Sequence, residues 1–411
     1  MGSLPGRDVL LLLGSMVLAS VPVGYLQVVL PLYLNRVGLA PSLIGLLYSL
    51  SGLVTALLVA FSGALADRFG RRGFLVSGTG LPMASYAIFA ATTDPGWLLL
   101  ASLVGGVGLA NGAAGALTAA SFDALLAEHT PPRQRTAVFA WAQALWSLAL
   151  GFGSLCAGLP DWLRQAEPAL CQAGADRLPF IGTIGLALAA TLLLLPVAAT
   201  ASTETASTES GRAAAARGWL PRRSADVIAR YALALGLFGL GLGVAVQLMP
   251  LWLARRFGVD EAALGPWYAA GQVLSLSSVA VSPWLDRRLG GAWAVLLVHL
   301  IGGGCLLVIA LLAPAFGLAA AAFVVRSVLA NVAWPLQQSL LMTAVVPAER
   351  ATAAGIGFAV WGLTNAAGPT VAGILIQNGS LALPLLLGSA GYALGGLAFG
   401  LGFRTVNLPR R

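Results

Sequence analysis

The chain has 411 residues, 58% of them apolar and 9% charged, with a formal net charge of +8. A soluble domain carries roughly 25% charged residues, so polar groups cannot cover this surface and its solvent is mostly lipid. Every basic side chain except the two histidines is an arginine, and the arginines gather at the ends of apolar runs, which reads as membrane topology and not as a nucleic-acid-binding face.

The apolar runs have helix length and lack the short alternation of a lipid-facing barrel. Twelve spans are expected, near 9–33, 42–65, 73–93, 97–127, 136–159, 179–198, 227–254, 261–284, 291–313, 315–345, 350–376 and 381–403. The first run is too long for the core of a cleaved signal peptide and more spans follow, so it reads as the first helix. The polar stretch 199–225 contains the near-duplicated "ASTETASTES" and reads as a tether. Its second part, "GRAAAARGWLPRR", is either a basic interfacial helix or a solvated linker end. The tether divides the chain into bundles at 1–198 and 226–411. With both termini cytoplasmic, 17 of the 23 basic residues fall in inner loops and tails, five in outer loops and Arg326 inside a span. This bias sets the expected orientation in the inner membrane.

The two halves resemble each other. "LPLYLNRVG" at 30–38 matches "MPLWLARRFG" at 249–258, and "LADRFG" at 65–70 answers "LDRRLG" at 285–290. Further on, 135–158 matches 350–373, which pairs Trp146 with Trp361, Gly153 with Gly368 and Gly158 with Gly373. Two homologous six-helix halves are the pattern of a transporter built from repeats.

The loop after the second span reads Gly63-x-x-x-Asp67-Arg68-Phe69-Gly70-Arg71-Arg72. Gly63 permits close helix approach, Gly70 a tight turn, and Asp67 can accept hydrogen bonds from arginine or from a helix N-terminus. With its degenerate copy at Asp286-Arg287-Arg288-Leu289-Gly290, this loop resembles the signature of the major facilitator superfamily, and the resemblance covers nearly the whole chain. It implies an all-α integral membrane fold of twelve transmembrane helices in two pseudo-symmetric six-helix bundles. It also implies alternating access, and an inner-face latch in which Asp67 and the arginines take part. "AEHTPPRQR" supplies Glu128 and Arg135, and "VVPAER" supplies Glu349 and Arg350, as further latch elements. Glu128 is expected to pair with Arg68 or Arg72, and Asp67 with the first turn of span eleven or a nearby arginine. The alternative is that these charges only set topology.

The resemblance places spans 1, 4, 7 and 10 around a central cavity, spans 2, 5, 8 and 11 beside it, and spans 3, 6, 9 and 12 against lipid. Candidate cavity residues on this map are Tyr25, Gln27, Asn111, Asp123, Gln143, Trp146, Gln247, Gln272, Arg326, Asn331, Trp334, Gln338, Trp361 and Asn365. Asp123 is the candidate proton-coupling residue; the bland reading is a wetted interfacial acid. Arg326 either contacts an anionic group of the substrate or holds the bundle through neighbouring carbonyls and amides. His299 reads as packing or an interfacial hydrogen bond. The tryptophans read either as stacking surfaces or as packing.

The sequence departs from the superfamily's drug/proton antiporters. Span four, "LVGGVGLANGAAG", lacks their arginine, and Ser154 stands where span five usually carries proline; a Gly-Pro pair occurs instead at Gly368-Pro369. The expected function is secondary transport of a small, amphipathic molecule, with proton-coupled efflux as the first form. An organic anion or lipid carrier using Arg326 is the alternative, and a non-transporting sensor or scaffold is the reading from another class. The expected partners are the bilayer, a small-molecule substrate and protons, with the chain acting as a monomer. No catalytic set, metal cluster or cofactor loop is read from the sequence, so an enzyme is not expected.

Overall fold

The computed structural model describes residues 6–107, 112–169, 171–198 and 223–404. Asn111, most of the 199–225 tether and the last residues lie outside them, as do the surroundings of Gly63 and the side chains of Asp67 and Arg68. Among the described residues all regular structure is helical apart from one isolated bridge residue, Val107, and ten helices are long and apolar enough to cross a membrane.

The first helices are α1 (Arg7–Arg36), α2 (Pro41–Phe69), α3 (Arg71–Ala91), α4 (Pro95–Gly105), α5 (Gly112–Glu128), α6 (Arg135–Leu155), α7 (Leu159–Ala166) and α8 (Gln172–Leu194). Those that follow are α9 (Ala225–Val246), α10 (Met249–Phe257), α11 (Glu261–Ser275), α12 (Ser278–Leu289), α13 (Gly291–Leu307), α14 (Phe316–Ala344), α15 (Arg350–Gln377) and α16 (Ala382–Gly402). Local chemistry sets several ends. Asp94 accepts from Gly96 N at 2.9 Å and Trp97 N at 3.2 Å, and Pro95 opens α4 where a missing N–H costs nothing. Gly70 (φ +94°) and Gly290 (φ +79°) turn the chain at matching places in the two repeats.

Three expected spans are not continuous; one of them, 227–254, is carried by α9 and α10 with a turn at Gln247–Leu248 between them. The 97–127 stretch is carried by α4 and α5, with Gly106 (φ +86°) and Gly112 (φ +54°) bounding the break. The 261–284 stretch is carried by α11 and α12. Ser277 Oγ donates to Leu274 O at 2.7 Å between them, the local bonding by which serine competes with a helix.

Packing divides the chain into two compact units that do not follow chain order. One comprises Met1–Ser202 with Pro250–Val273, the other Thr203–Met249 with Leu274–Arg411. In the first, α1 packs on α6 and α8, α2 on α5, and α3 on α5 and α8. Tyr33, Phe89 and Phe180 form its aromatic core. In the second, α9 packs on α15 and α16, and α13 on α14 and α16. Tyr231, Phe399 and Phe403 fill one part of that core, and Phe238, His299 and Tyr392 another.

The tightest crossings fall on the paired glycines. A Cβ on Gly153 of α6 would strike Val21 O and lie 2.9 Å from Tyr25 N of α1. A Cβ on Gly368 of α15 would strike Gly243 C and Val244 N and lie 2.6 Å from Gly243 Cα of α9. Each unit thus joins two long helices backbone to backbone at the same repeat position, where only glycine leaves room.

Candidate functional site

The first unit contains a cavity of about 480 Å³. Ser15, Met16 and Val23 of α1, Tyr86 of α3, Thr118, Phe122 and Asp123 of α5, and Phe139, Gln143 and Trp146 of α6 are among its walls. Small residues make the space: Gly78 and Thr79 on α3, Gly105 on α4, and Ala114 and Gly115 on α5 leave no long side chains to fill it. Asp123 is the single charged residue among the described wall residues. An apolar and aromatic chamber with a few polar groups and one carboxylate suits an amphipathic or cationic molecule. Three expected cavity residues, Asp123, Gln143 and Trp146, meet here. The contribution of α3 departs from the map that gave its span to lipid; its glycine and threonine face let it close one side of the chamber.

Other expected cavity residues lie elsewhere. Gln27 is buried and donates to Ser154 Oγ at 2.8 Å; Ser154 Oγ in turn lies 3.1 Å from Gly24 O and 2.9 Å from Leu150 O. Tyr25 is buried edge-on against Phe180, its hydroxyl without a hydrogen-bond partner among the described residues. Gln272 packs beside Gly151. In the second unit, Trp334 meets Phe358 and Trp361 edge-on at 5.4 and 5.8 Å. Trp361 Nε1 and Asn365 Oδ1, one helical turn apart on α15, are both buried without hydrogen-bond partners among the described residues. Asn331 donates to Ser275 Oγ at 3.1 Å and Ser327 O at 3.0 Å, while Gln247 and Gln338 are half-buried.

Arg326 is 4% exposed. It donates to the Tyr392 hydroxyl and to Ser327 Oγ, each at 2.7 Å, and lies 5.0 Å from the Phe323 ring centre. All these partners are neutral, and its Nε has no hydrogen-bond partner among the described residues. His299 is buried nearby and contacts Val295 O through Nδ1 at 2.7 Å; its Nε2 lies 3.2 Å from Gln337 Nε2. Donation from Nδ1 to the carbonyl leaves Nε2 to accept from Gln337, so the imidazole sits as the neutral tautomer.

The expected latch elements form contacts at one end of each unit. Arg71 pairs with Glu128, and Arg72 donates to the carbonyl oxygen of Leu195. Among the described residues, the arginine after the turn glycine is thus a partner of Glu128; the expectation named Arg68, whose side chain lies outside them, and Arg72. Arg135 Nε reaches Ala127 O at 3.1 Å and Thr130 O at 3.3 Å, and Arg350 Nε reaches Val345 O at 3.4 Å. Both arginines thus tie back to the carbonyl five residues earlier. Glu349 accepts from Arg223 N at 3.1 Å and Ser224 N at 2.8 Å at the start of α9, where a carboxylate complements the helix dipole. Asp286 Oδ1 is buried without a hydrogen-bond partner among the described residues, and Arg287 is exposed.

The opposite end of α1 holds a cluster that sequence reading missed. Arg36 pairs with Glu261 and with Asp176, the latter at 3.1 Å. These residues are 225 and 140 positions from Arg36 respectively, and each alone looks like a loop charge.

With matching turn glycines at 70 and 290 and a chamber in the first unit, a comparison with known sequences decides the family. Residues 12–369 match the Major Facilitator Superfamily. The chain belongs to this superfamily. It is a multi-pass membrane transporter and not an enzyme. Among curated proteins, it is 31% identical over 144 residues to the multidrug resistance protein MdtH of Yersinia enterocolitica, covering 35% of this chain and 34% of that protein. It is equally similar, over the same length, to MdtH of Klebsiella pneumoniae. The chain spans about a third of the length of the curated relatives it matches.

Solved superfamily structures align over nearly the full length. A D-xylose-proton symporter gives a TM-score of 0.70 at 15% identity, covering 95% of this chain and 96% of that one. The nucleoside transporter NupG gives 0.72 at 14%, covering 98% and 100%. A bacterial homolog of the human lysosomal transporter Spinster gives 0.71 at 16%, covering 100% and 99%. At these identities the likeness shows the fold.

Proposed function

We propose that the chain is a secondary transporter that exports a small amphipathic molecule across the inner membrane in exchange for protons, by alternating access. The observation that carries this reading is the first-unit cavity, where Trp146 and Gln143 share walls with a single acid, Asp123. The partial likeness to MdtH supports efflux. In this reading α4 with α5, and α11 with α12, each complete one crossing, which brings the ten long helices to twelve. Interrupted helices are common where transporters bind substrate. The arginine distribution puts both termini in the cytoplasm, and the six-and-six division at 1–198 and 226–411 is the repeat boundary. The chain acts as a monomer. The loop contacts through Arg71, Glu128 and Glu349 act as inner-face latch parts.

The test is dye accumulation in bacteria stripped of their own exporters. Expression of the chain lowers ethidium accumulation, and Asp123→Asn restores it while the protein stays folded and membrane-inserted. Unchanged accumulation across a panel of lipophilic cations refutes the reading.

A second reading, transport of an organic anion or lipid, is favoured by one observation: Arg326 is buried among neutral partners. A buried guanidinium without a carboxylate is costly, and an anionic substrate group would relieve that cost. In that case organic anions raise the thermal midpoint of the purified protein, and Arg326→Gln abolishes the rise.

A further inference from the structure

We propose that the exposed face of α12 is a binding site for an anionic phospholipid, with Arg287 and Arg288 taking the headgroup phosphate. Apart from its last residue, the exposed positions of α12 recur every four residues: Val279 and Ala280, Pro283 and Trp284, Arg287 and Arg288. That spacing puts them on one side of the helix. Val279 is 72% exposed and Trp284 51%. The opposite side holds α12 in its unit: Ser282 and Leu285 are buried, Ser282 Oγ donates to Val332 O of α14 at 3.0 Å, and Leu285 joins the core around Tyr231. The exposed stripe thus runs from apolar through aromatic to cationic over about 12 Å of helix rise. A phospholipid has the same order of parts, with acyl chain, interfacial region and phosphate, and tryptophan favours the middle one.

The state of the arginines points the same way. In the first repeat the arginines beside the turn glycine are taken by the protein itself, Arg71 by Glu128 and Arg72 by Leu195 O. Beside Gly290, Arg287 and Arg288 have neither an acid nor a hydrogen-bond acceptor among the described residues. Arg288 instead lies over the Trp284 ring, 6.0 Å from its centre. The neighbouring acid is turned away: Asp286 Oδ1 is buried, and a Cβ on Gly291 at the start of α13 would lie 3.3 Å from it. Two guanidinium groups therefore keep their forked donors for an outside anion, and phosphate fits that fork. Past the turn, Trp293 of α13 is 50% exposed. Each helix leaving Gly290 thus presents an exposed indole within about 9 Å of the turn by helix rise, the depth of a membrane interface.

The arginine distribution assigns this turn to the inner leaflet. That assignment rests on the reading of the chain given above; the lipid site itself does not. An arginine near an anionic membrane surface strengthens binding about fivefold, so the pair gives the second unit a preference for anionic over zwitterionic lipid.

Native mass spectrometry of the full chain released from detergent micelles tests the site, with phosphatidylglycerol or phosphatidylcholine of identical acyl chains added. The wild type is expected to retain phosphatidylglycerol preferentially, and Arg287→Gln/Arg288→Gln to weaken that retention about fivefold for each arginine removed. The control Arg7→Gln/Arg133→Gln removes the same charge from exposed positions of the first unit and leaves retention unchanged. Equal losses in the two double variants reveal a diffuse effect of net charge and overturn the proposal, as does equal retention of the two lipids by the wild type. Full displacement by inorganic phosphate overturns the lipid assignment in favour of a free-anion site. Should the glutamine pair not fold, Arg287→Lys/Arg288→Lys keeps the charge and loses the fork; weaker retention supports the site and unchanged retention overturns it. The measurement does not involve transport, so loss of the efflux reading in the dye assay leaves its outcome intact.

Discussion

Gly153→Ala and Gly368→Ala should both destabilise the protein, although each replaces glycine by a better helix former. Alanine gains about 1 kcal/mol over glycine in a helix interior. At these two positions the added methyl meets backbone atoms: Val21 O and Tyr25 N for Gly153, Gly243 and Val244 for Gly368. Backbone cannot rotate away as a flexible side-chain end can, so the helices must separate. Overpacking of this kind costs about 1–3 kcal/mol, occasionally more, and the upper part of that range applies because the contacts are so short. The net loss is about 1–2 kcal/mol, the difference between those two terms. Gly185 and Gly304 are internal controls, since a Cβ there meets nothing within 4 Å. The assay is thermal denaturation in detergent, followed by size-exclusion of the surviving folded fraction. The midpoint falls by a few degrees for the crossing glycines and is unchanged or raised for the controls. Equal midpoints for Gly153→Ala and Gly185→Ala would refute the claim that backbone contact at the crossing demands glycine.

Gly70→Ala and Gly290→Ala force a side chain into a backbone region reserved for glycine and lower stability by about 1–3 kcal/mol each, read in the same melt. Glu349→Gln keeps the shape of the cap on α9 but removes its charge, costing about 0.3–1 kcal/mol; a larger midpoint loss for Glu349→Ala than for Glu349→Gln checks that the hydrogen bonds to Arg223 N and Ser224 N also count. Arg71→Glu and Glu128→Arg each slow transport while the double swap recovers it; because the pair is partly exposed, the melt moves by no more than about 1 kcal/mol in any of the three.

Much of this architecture is legible in the sequence because it is written in local terms. Apolar runs mark helices, the turn glycines mark the motif loops, and matched glycines at 153 and 368 mark the crossings. Asp123, Gln143 and Trp146 share a cavity because they lie on the consecutive helices α5 and α6, whose spans the resemblance placed around or beside a cavity. The less legible features are relational. The Arg36 cluster needs three charges distant in sequence, and nothing near Asp176 or Glu261 announces the others. The broken stretches near 106 and 276 are apolar enough to read as continuous, since hydropathy does not register a positive-φ glycine or a serine bonding its own backbone. Gln27 looked like a cavity group because a polar side chain in an apolar helix invites that reading; its partner, Ser154, sits where a proline was the family expectation.

The two repeats hold their loops in unequal ways, and the difference shows how duplicated machinery drifts. Arg71 follows Gly70 and meets Glu128, whereas Gly291 follows Gly290 and offers no guanidinium to the acid of the second copy. Glu349 is instead satisfied by main-chain N–H groups. The ties of Arg135 and Arg350 to a carbonyl five residues back persist in both copies, since any residue can present that acceptor. Contacts aimed at the main chain survive substitution of everything around them, while a pair of side chains is lost with either member. An engineer joining one repeat of this chain to the other half of a distant relative would therefore expect an arginine staple from either repeat, and the Arg71–Glu128 contact only from the first, which holds both of its members.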